Sequence, residues 1–265
     1  MKMLNNIERF FRQSVLSFKA LFGWLDPRVY LLVKIISPVF QLLFFVLLAK
    51  YVYNAKDVTP WVIGNAFLLC YLNAIFGVGN ILANERYFGT LKIVVASPAN
   101  KFLVFVGRAF MHLFDAMLTV LIGLLTGALV FGVSFSGVNL PLFALSILVA
   151  MFAASGMGLL IGSLGLKIRD MNLVMNTTAV GLIALSGANF PVSQLPGFLQ
   201  IISSGLPLTR SIEAARLIVD NGDKEMIFSL ITQEFIIGII YIAAGYILLR
   251  IMELYARKTA ALDLY

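Results

Sequence analysis

Three ionisable residues sit within one apolar stretch: Arg108, His112 and Asp115, separated by four and then three positions. That spacing sets them on one face of a helix. Such a face offers a polar relay, a charged lining for a conduit, or a self-satisfied interhelical network in which Asp115 pairs with Arg108 or His112. Lys34 and Glu234 also lie inside apolar stretches. Lys34, near one end of its stretch, can snorkel to an interface. Beyond these residues the chemistry is sparse. A single cysteine, Cys70, cannot form an internal disulfide, and with one histidine the common zinc sets cannot be assembled. The chain has no G-x-x-x-x-G-K-S/T phosphate loop, no G-x-S-x-G elbow and no His-Glu-x-x-His pair. It is therefore expected to hold no catalytic site, no metal and no cofactor of its own.

The elements carrying these residues are membrane spans. Hydrophobic residues make up 60% of the chain and charged residues 12%, and the mean hydropathy is +0.95. A soluble core cannot hide that much apolar surface, so lipid must be the solvent for much of it. Six stretches are long and apolar enough to cross as helices, at about 29–52, 61–82, 102–131, 142–164, 171–188 and 226–251. The expected fold is an all-α membrane protein with a single transmembrane domain over residues 29–265.

Residues 1–28 differ in character. Leu4, Ile7, Phe11, Val15, Phe18, Phe22 and Leu25 recur at steps of three or four, which predicts an amphipathic helix lying in the interface. Asp26-Pro27 ends it before the first span. No cleavable signal peptide is expected. A cytoplasmic N-terminus places about fourteen Lys and Arg in inner segments against about five outside. Both termini are thus expected in the cytoplasm of a multi-pass cell-membrane protein. The net charge of +7 then faces anionic lipid, and no basic run suited to nucleic acid is present.

Two connecting segments stand out. Between the fifth and sixth spans, Pro191, Pro196, Gly197, Gly205 and Pro207 break a partly apolar run. This predicts a short re-entrant segment on the outer side, followed by a helix over about 209–219. It is the natural place for an outer gate, with Phe190, Pro191, Leu195, Pro196 and Pro207 as its candidates. The first inner loop mixes charge with apolar residues, turns at Gly89 and ends at Pro98. Gly123-x-x-x-Gly127 and Gly158-x-x-x-Gly162 let helices approach closely, which points first to packing within the chain.

That inner loop, Glu85-Arg86-Tyr87-Phe88-Gly89-Thr90-Leu91 followed by Ser97-Pro98, resembles the first coupling region of type-2 ATP-binding-cassette (ABC) exporter permeases. Gly187-Ala188-Asn189-Phe190-Pro191 through Leu195-Pro196, and Leu206-Pro207-Leu208-Thr209-Arg210, are similar to the same family's progression before the last span. The family often has Asn and Tyr where this chain has Leu206 and Arg210. The resemblance implies a pair of permeases, with a second copy of this chain as one arrangement, forming a path between them. It also implies two copies of a separate ATPase beneath, which would hold the ATP and Mg. Glu85, Arg86, Gly89, Thr90, Leu91, Ser97 and Pro98 would form one ATPase contact, and Lys167, Arg169 and Asp170 a second. Outward export from a bacterial or archaeal plasma membrane is implied, of an amphiphilic small molecule or drug, with a polysaccharide or lipid-linked glycan as the alternative. An ion-coupled secondary carrier is the rival from another class, and a non-transporting membrane scaffold is a further one.

Overall fold

The computed structural model describes residues 26–90, 101–168 and 170–258; the side chains of residues 27, 33, 82, 86, 101–108, 111 and 256–258 are outside that description. All but the last three residues of the expected interfacial helix, and also Leu91, Ser97, Pro98 and Arg169, lie outside the described residues.

Among the described residues every regular element is helical. The order is α1 (Pro27–Tyr53), α2 (Thr59–Gly79), α3 (Ile81–Tyr87), α4 (Lys101–Phe131), α5 (Leu140–Ser163), α6 (Met171–Leu185), α7 (Gly197–Gly205), α8 (Thr209–Val219) and α9 (Lys224–Lys258). Short 3-10 turns cover Leu164–Leu166 and Val192–Gln194. Local chemistry sets several starts. The Asp26 carboxylate accepts the Arg28 amide ahead of α1, Asn139 accepts Leu142 ahead of α5, and Asp170 accepts Leu173 ahead of α6. Prolines occupy the first turns of α1, α2 and α5, where a missing N–H costs nothing.

Five of these helices, α1, α2, α4, α5 and α9, contain stretches long and apolar enough to cross a membrane. The predicted second span is shifted by two to three residues: α2 covers Thr59–Gly79 and the chain restarts as α3. The predicted fifth span corresponds to α6, a helix of 15 residues. At 1.5 Å per residue it is about 22 Å long, less than the hydrocarbon thickness of about 30 Å. The α9 helix, with 35 residues, is about 52 Å long and must project beyond the bilayer.

The central element is α2, which packs against α1, α4, α5, α6 and α8. Both small-residue pairs serve this packing within the chain. A Cβ on Gly127 would lie 2.2 Å from Val62, and one on Gly162 would lie 2.9 Å from the Gly79 carbonyl oxygen. Their partners Gly123 and Gly158 face Ala66 and Val78. These glycines allow α4 and α5 to close on α2. The longest seam joins α9 to α5. By contrast α1 packs on α2 and α4, and α6 chiefly on α2, so these two helices flank a cleft.

Candidate functional site

A buried ion pair forms one end of that cleft. Lys34 of α1 and Asp115 of α4 are each 9% exposed, and Lys34 Nζ lies 2.6 Å from Asp115 Oδ2. The Tyr30 hydroxyl donates to Asp115 Oδ1. The Asn73 carboxamide of α2 is 2.6 Å from Thr119 Oγ1. Turned so that its oxygen faces Lys34 and Thr119, its nitrogen donates to Asp115 Oδ2 at 3.2 Å. Removing both charges from water costs several kcal/mol per ion, and close contact with further hydrogen bonds is what offsets that cost. Tyr30 and Asn73 supply those bonds.

Asp115 thus takes Lys34 and Tyr30 of α1 as partners, which the spacing along α4 did not point to. The Arg108 side chain is outside the description. His112 is buried on the same helix and packs against the bare backbone of Gly77: a Cβ there would lie 2.6 Å from His112 Nδ1. Lys34 does not snorkel. It turns inward because a carboxylate on α4 lies within reach.

Around the pair opens a cavity of about 630 Å³, whose walls include Tyr30, Lys34, Ser37 and Gln41 of α1 and Ala179 and Ile183 of α6. A second cavity of about 340 Å³ continues it past Phe45 and Ile183, which line both, to Tyr53, Trp61, Asn189 and Phe190. Tyr30 and Tyr53 are about 34 Å apart along α1 at 1.5 Å per residue, so the cleft runs the full hydrocarbon thickness.

The Tyr53 end is latched by hydrogen bonds. Trp61 Nε1 donates to the Asn189 carbonyl at 2.8 Å, and Asn65 Nδ2 to Asn189 Oδ1 at 3.1 Å. Arg216 of α8 joins α2 to the end of α6. Its Nε donates to the Pro60 carbonyl and its Nη2 to the Ala188 carbonyl, each at 3.0 Å. Burial pushes this guanidinium down to about 10, with Glu213 and Asp220 opposing the fall. Arg216→Met is expected to destabilise the protein by about 2–3 kcal/mol, since hydrogen bonds to a charged group are the strong ones. Arg216→Lys recovers less than half of that, because one ammonium cannot reproduce a planar fork reaching two carbonyls. Thermal unfolding in nanodiscs measures both.

The five gate candidates occupy different settings. Phe190 lines the cleft. Pro191 precedes the 3-10 turn and Pro196 precedes α7. The Leu195 carbonyl accepts Gln200 Nε2 at 2.8 Å. Pro207 is buried, beside Leu208, whose φ of 94° is costly for a branched residue. The Leu208 amide donates to Glu234 Oε1 of α9 at 2.6 Å. Glu234 is fully buried and ties the start of α8 to α9.

At the opposite end, the Glu85-to-Thr90 segment is a helix stop. Gly89 has φ 70°, the left-handed conformation that ends helices. The Thr90 amide donates to the Glu85 carbonyl at 2.9 Å and the Thr90 hydroxyl to Glu85 Oε2 at 2.5 Å. This turn presents Tyr87 and Phe88, exposed and edge to face with centroids 5.4 Å apart. Of the second expected contact, Asp170 caps α6 and Lys167 lies over the Tyr255 ring of α9 at 5.2 Å.

Sequence reasoning missed Tyr30, Ser37, Gln41, Asn73 and Thr119. The recurrence of polar residues at 34, 37 and 41 was the available signal, a polar stripe on an otherwise apolar helix.

A family model described as ABC-2 type transporter matches residues 15–219. Proteins named "Inner membrane transport permease YhhJ", from Escherichia coli (strain K12) and Shigella flexneri, are each 27% identical to this chain over 150 residues. Those residues are 56% of this chain and 40% of each relative, so the match spans less than half of the relatives' length.

Proposed function

The chain belongs to the ABC-2 type transporter family, and we propose that it is the permease subunit of an ATP-driven exporter. The observation that carries this reading is the cleft between α1 and α6, polar at the Tyr30 end and open along its length. One copy supplies one wall of a path, and a second copy closes it. Two separate ATPase subunits bind at the Tyr87–Phe88 turn and at the Lys167–Asp170 segment. The Tyr30 end and both termini face the cytoplasm, as the Lys and Arg distribution supports. Six crossings follow if α6, extended by residues 186–191, completes the fifth. The apolar face of α7, with Phe198 and Ile201 exposed, then rests in lipid as a re-entrant element. The cargo is an amphiphilic small molecule, with a lipid-linked glycan as the alternative. ATP-driven closure of the motor shifts the permeases between two states only if the motor binds those states with different affinity.

The test is reconstitution with the cognate ATPase in liposomes. Efflux that needs both ATP and the partner supports the reading. The buried Lys34–Asp115 pair, with His112 and Glu234 also buried in spanning helices, is a feature a gradient-driven carrier would share, since such carriers place ionisable groups in their spans. Uphill flux by the purified chain without nucleotide would replace the exporter reading with that one.

A further inference from the structure

We infer that the cleft selects an amphiphile whose head is uncharged and rich in hydrogen-bonding groups, and rejects heads of net charge of either sign; this rests on the reading of the cleft as the transport path. The cleft face of α1 is divided along its length. Tyr30, Lys34, Ser37 and Gln41 follow one another at steps of three or four, and Phe45, Leu48 and Val52 continue the same face. The polar half is therefore followed by an apolar half running about 16 Å from Gln41 to Val52. Leu69, Leu72 and Phe76 of α2 line the same cavity as the polar residues, and Ile183 of α6 lines both cavities.

The charges in the polar half are already spent. Lys34 is matched by Asp115, and Asp115 also accepts from Tyr30 and Asn73. An anionic head must draw Lys34 away from Asp115, and a cationic head must draw Asp115 away from Lys34. Either leaves a charge without its partner in a medium where that is costly. The neutral groups are not spent. Ser37 and Gln41 line the cavity, and their side chains make no hydrogen bond among the described residues. Pro38, inside α1 and on the same wall, lacks the N–H that would bond the Lys34 carbonyl, so the backbone adds an acceptor there. A hydroxyl, a carboxamide and a carbonyl within two turns match a glycosyl or polyol head. A site built from such groups discriminates strongly because ligands that cannot bond them leave them unpaired.

Three probes with one eight-carbon chain separate the possibilities: octyl glucoside, octyltrimethylammonium and octyl sulfate. Their binding to the full chain in nanodiscs is measured by equilibrium dialysis below the micelle concentration, with empty nanodiscs subtracted. The expected result is octyl glucoside bound at least about tenfold tighter than either charged probe. Gln41→Leu is expected to abolish most of that preference while leaving the charged probes unchanged, and Ser37→Ala to reduce it. A charged probe bound as tightly as the glucoside, an equal loss of all three in Gln41→Leu, or no saturable binding of any would overturn the inference. If Gln41→Leu does not fold, Ser37→Ala carries the same comparison. ATP-dependent efflux together with absent head preference sinks this inference alone. Head preference without ATP-dependent efflux sinks the exporter reading and leaves the binding site.

Discussion

Lys34→Met is expected to lower the stability of the protein by about 3–5 kcal/mol, the cost of leaving one member of a buried ion pair alone. Asp115 is 9% exposed, so water replaces little of the lost pairing. The two donors it keeps, Tyr30 and Asn73, place the loss toward the lower end of that range. The double variant Lys34→Met, Asp115→Leu is expected to regain most of the loss, because it removes the unpaired charge together with the cost of burying it. Thermal unfolding of the four proteins of this cycle in nanodiscs checks both values. A single variant within about 0.5 kcal/mol of the parent would mean that Lys34 and Asp115 are not paired in the bilayer. Double and single variants of equal stability would mean that the effect lies in lost packing. The cycle separates a structural ion pair from a transport element, since the double variant folds but offers the cleft no charge.

Glu85→Ala is expected to uncouple the assembled transporter: ATP hydrolysis persists while efflux falls about 5–150-fold, the range that one to three kcal/mol of coupling energy gives. The geometry assigns Glu85 a positioning task. Its carboxylate accepts the Thr90 hydroxyl across the turn that Gly89 makes, and that turn carries the exposed Tyr87 and Phe88. Glu85→Gln keeps an acceptor oxygen and is expected to retain most of the efflux. Equal loss in Gln and Ala variants would instead place the negative charge itself at the partner surface. Unfolding free energies within about 0.5 kcal/mol of the parent are expected for both, because the turn lies outside the buried bundle. Normal efflux in Glu85→Ala would remove this turn from the coupling path.

The apolar runs and their breaks were legible because in lipid a helix must satisfy its backbone within its own segment. The start of α1, the start of α4 and the helix over 209–219 lie close to where the sequence put them. Gly89 was readable as a turn for a related reason: a left-handed residue is a local demand. The pairing of small residues with intramolecular seams was also readable as a tendency, though not that α2 receives both seams.

The polar site was legible only in part. Asp115 was visible as an ionisable residue in an apolar stretch, yet its partner Lys34 lies 81 positions away. Helical spacing ranks neighbours on one helix and is silent about the helix alongside, so Arg108 and His112 stood first. Ser37 and Gln41 look like tolerated polar residues until the cleft is seen to run past them. The amino-acid sequence by itself determined that this is a multi-pass helical membrane protein with the ABC-2 pattern in two of its connecting segments, because those properties are set residue by residue along each helix. Which charges meet, and where a cleft opens between α1 and α6, was decided by the tertiary structure, because the rotation and separation of packed helices depend on contacts between distant segments.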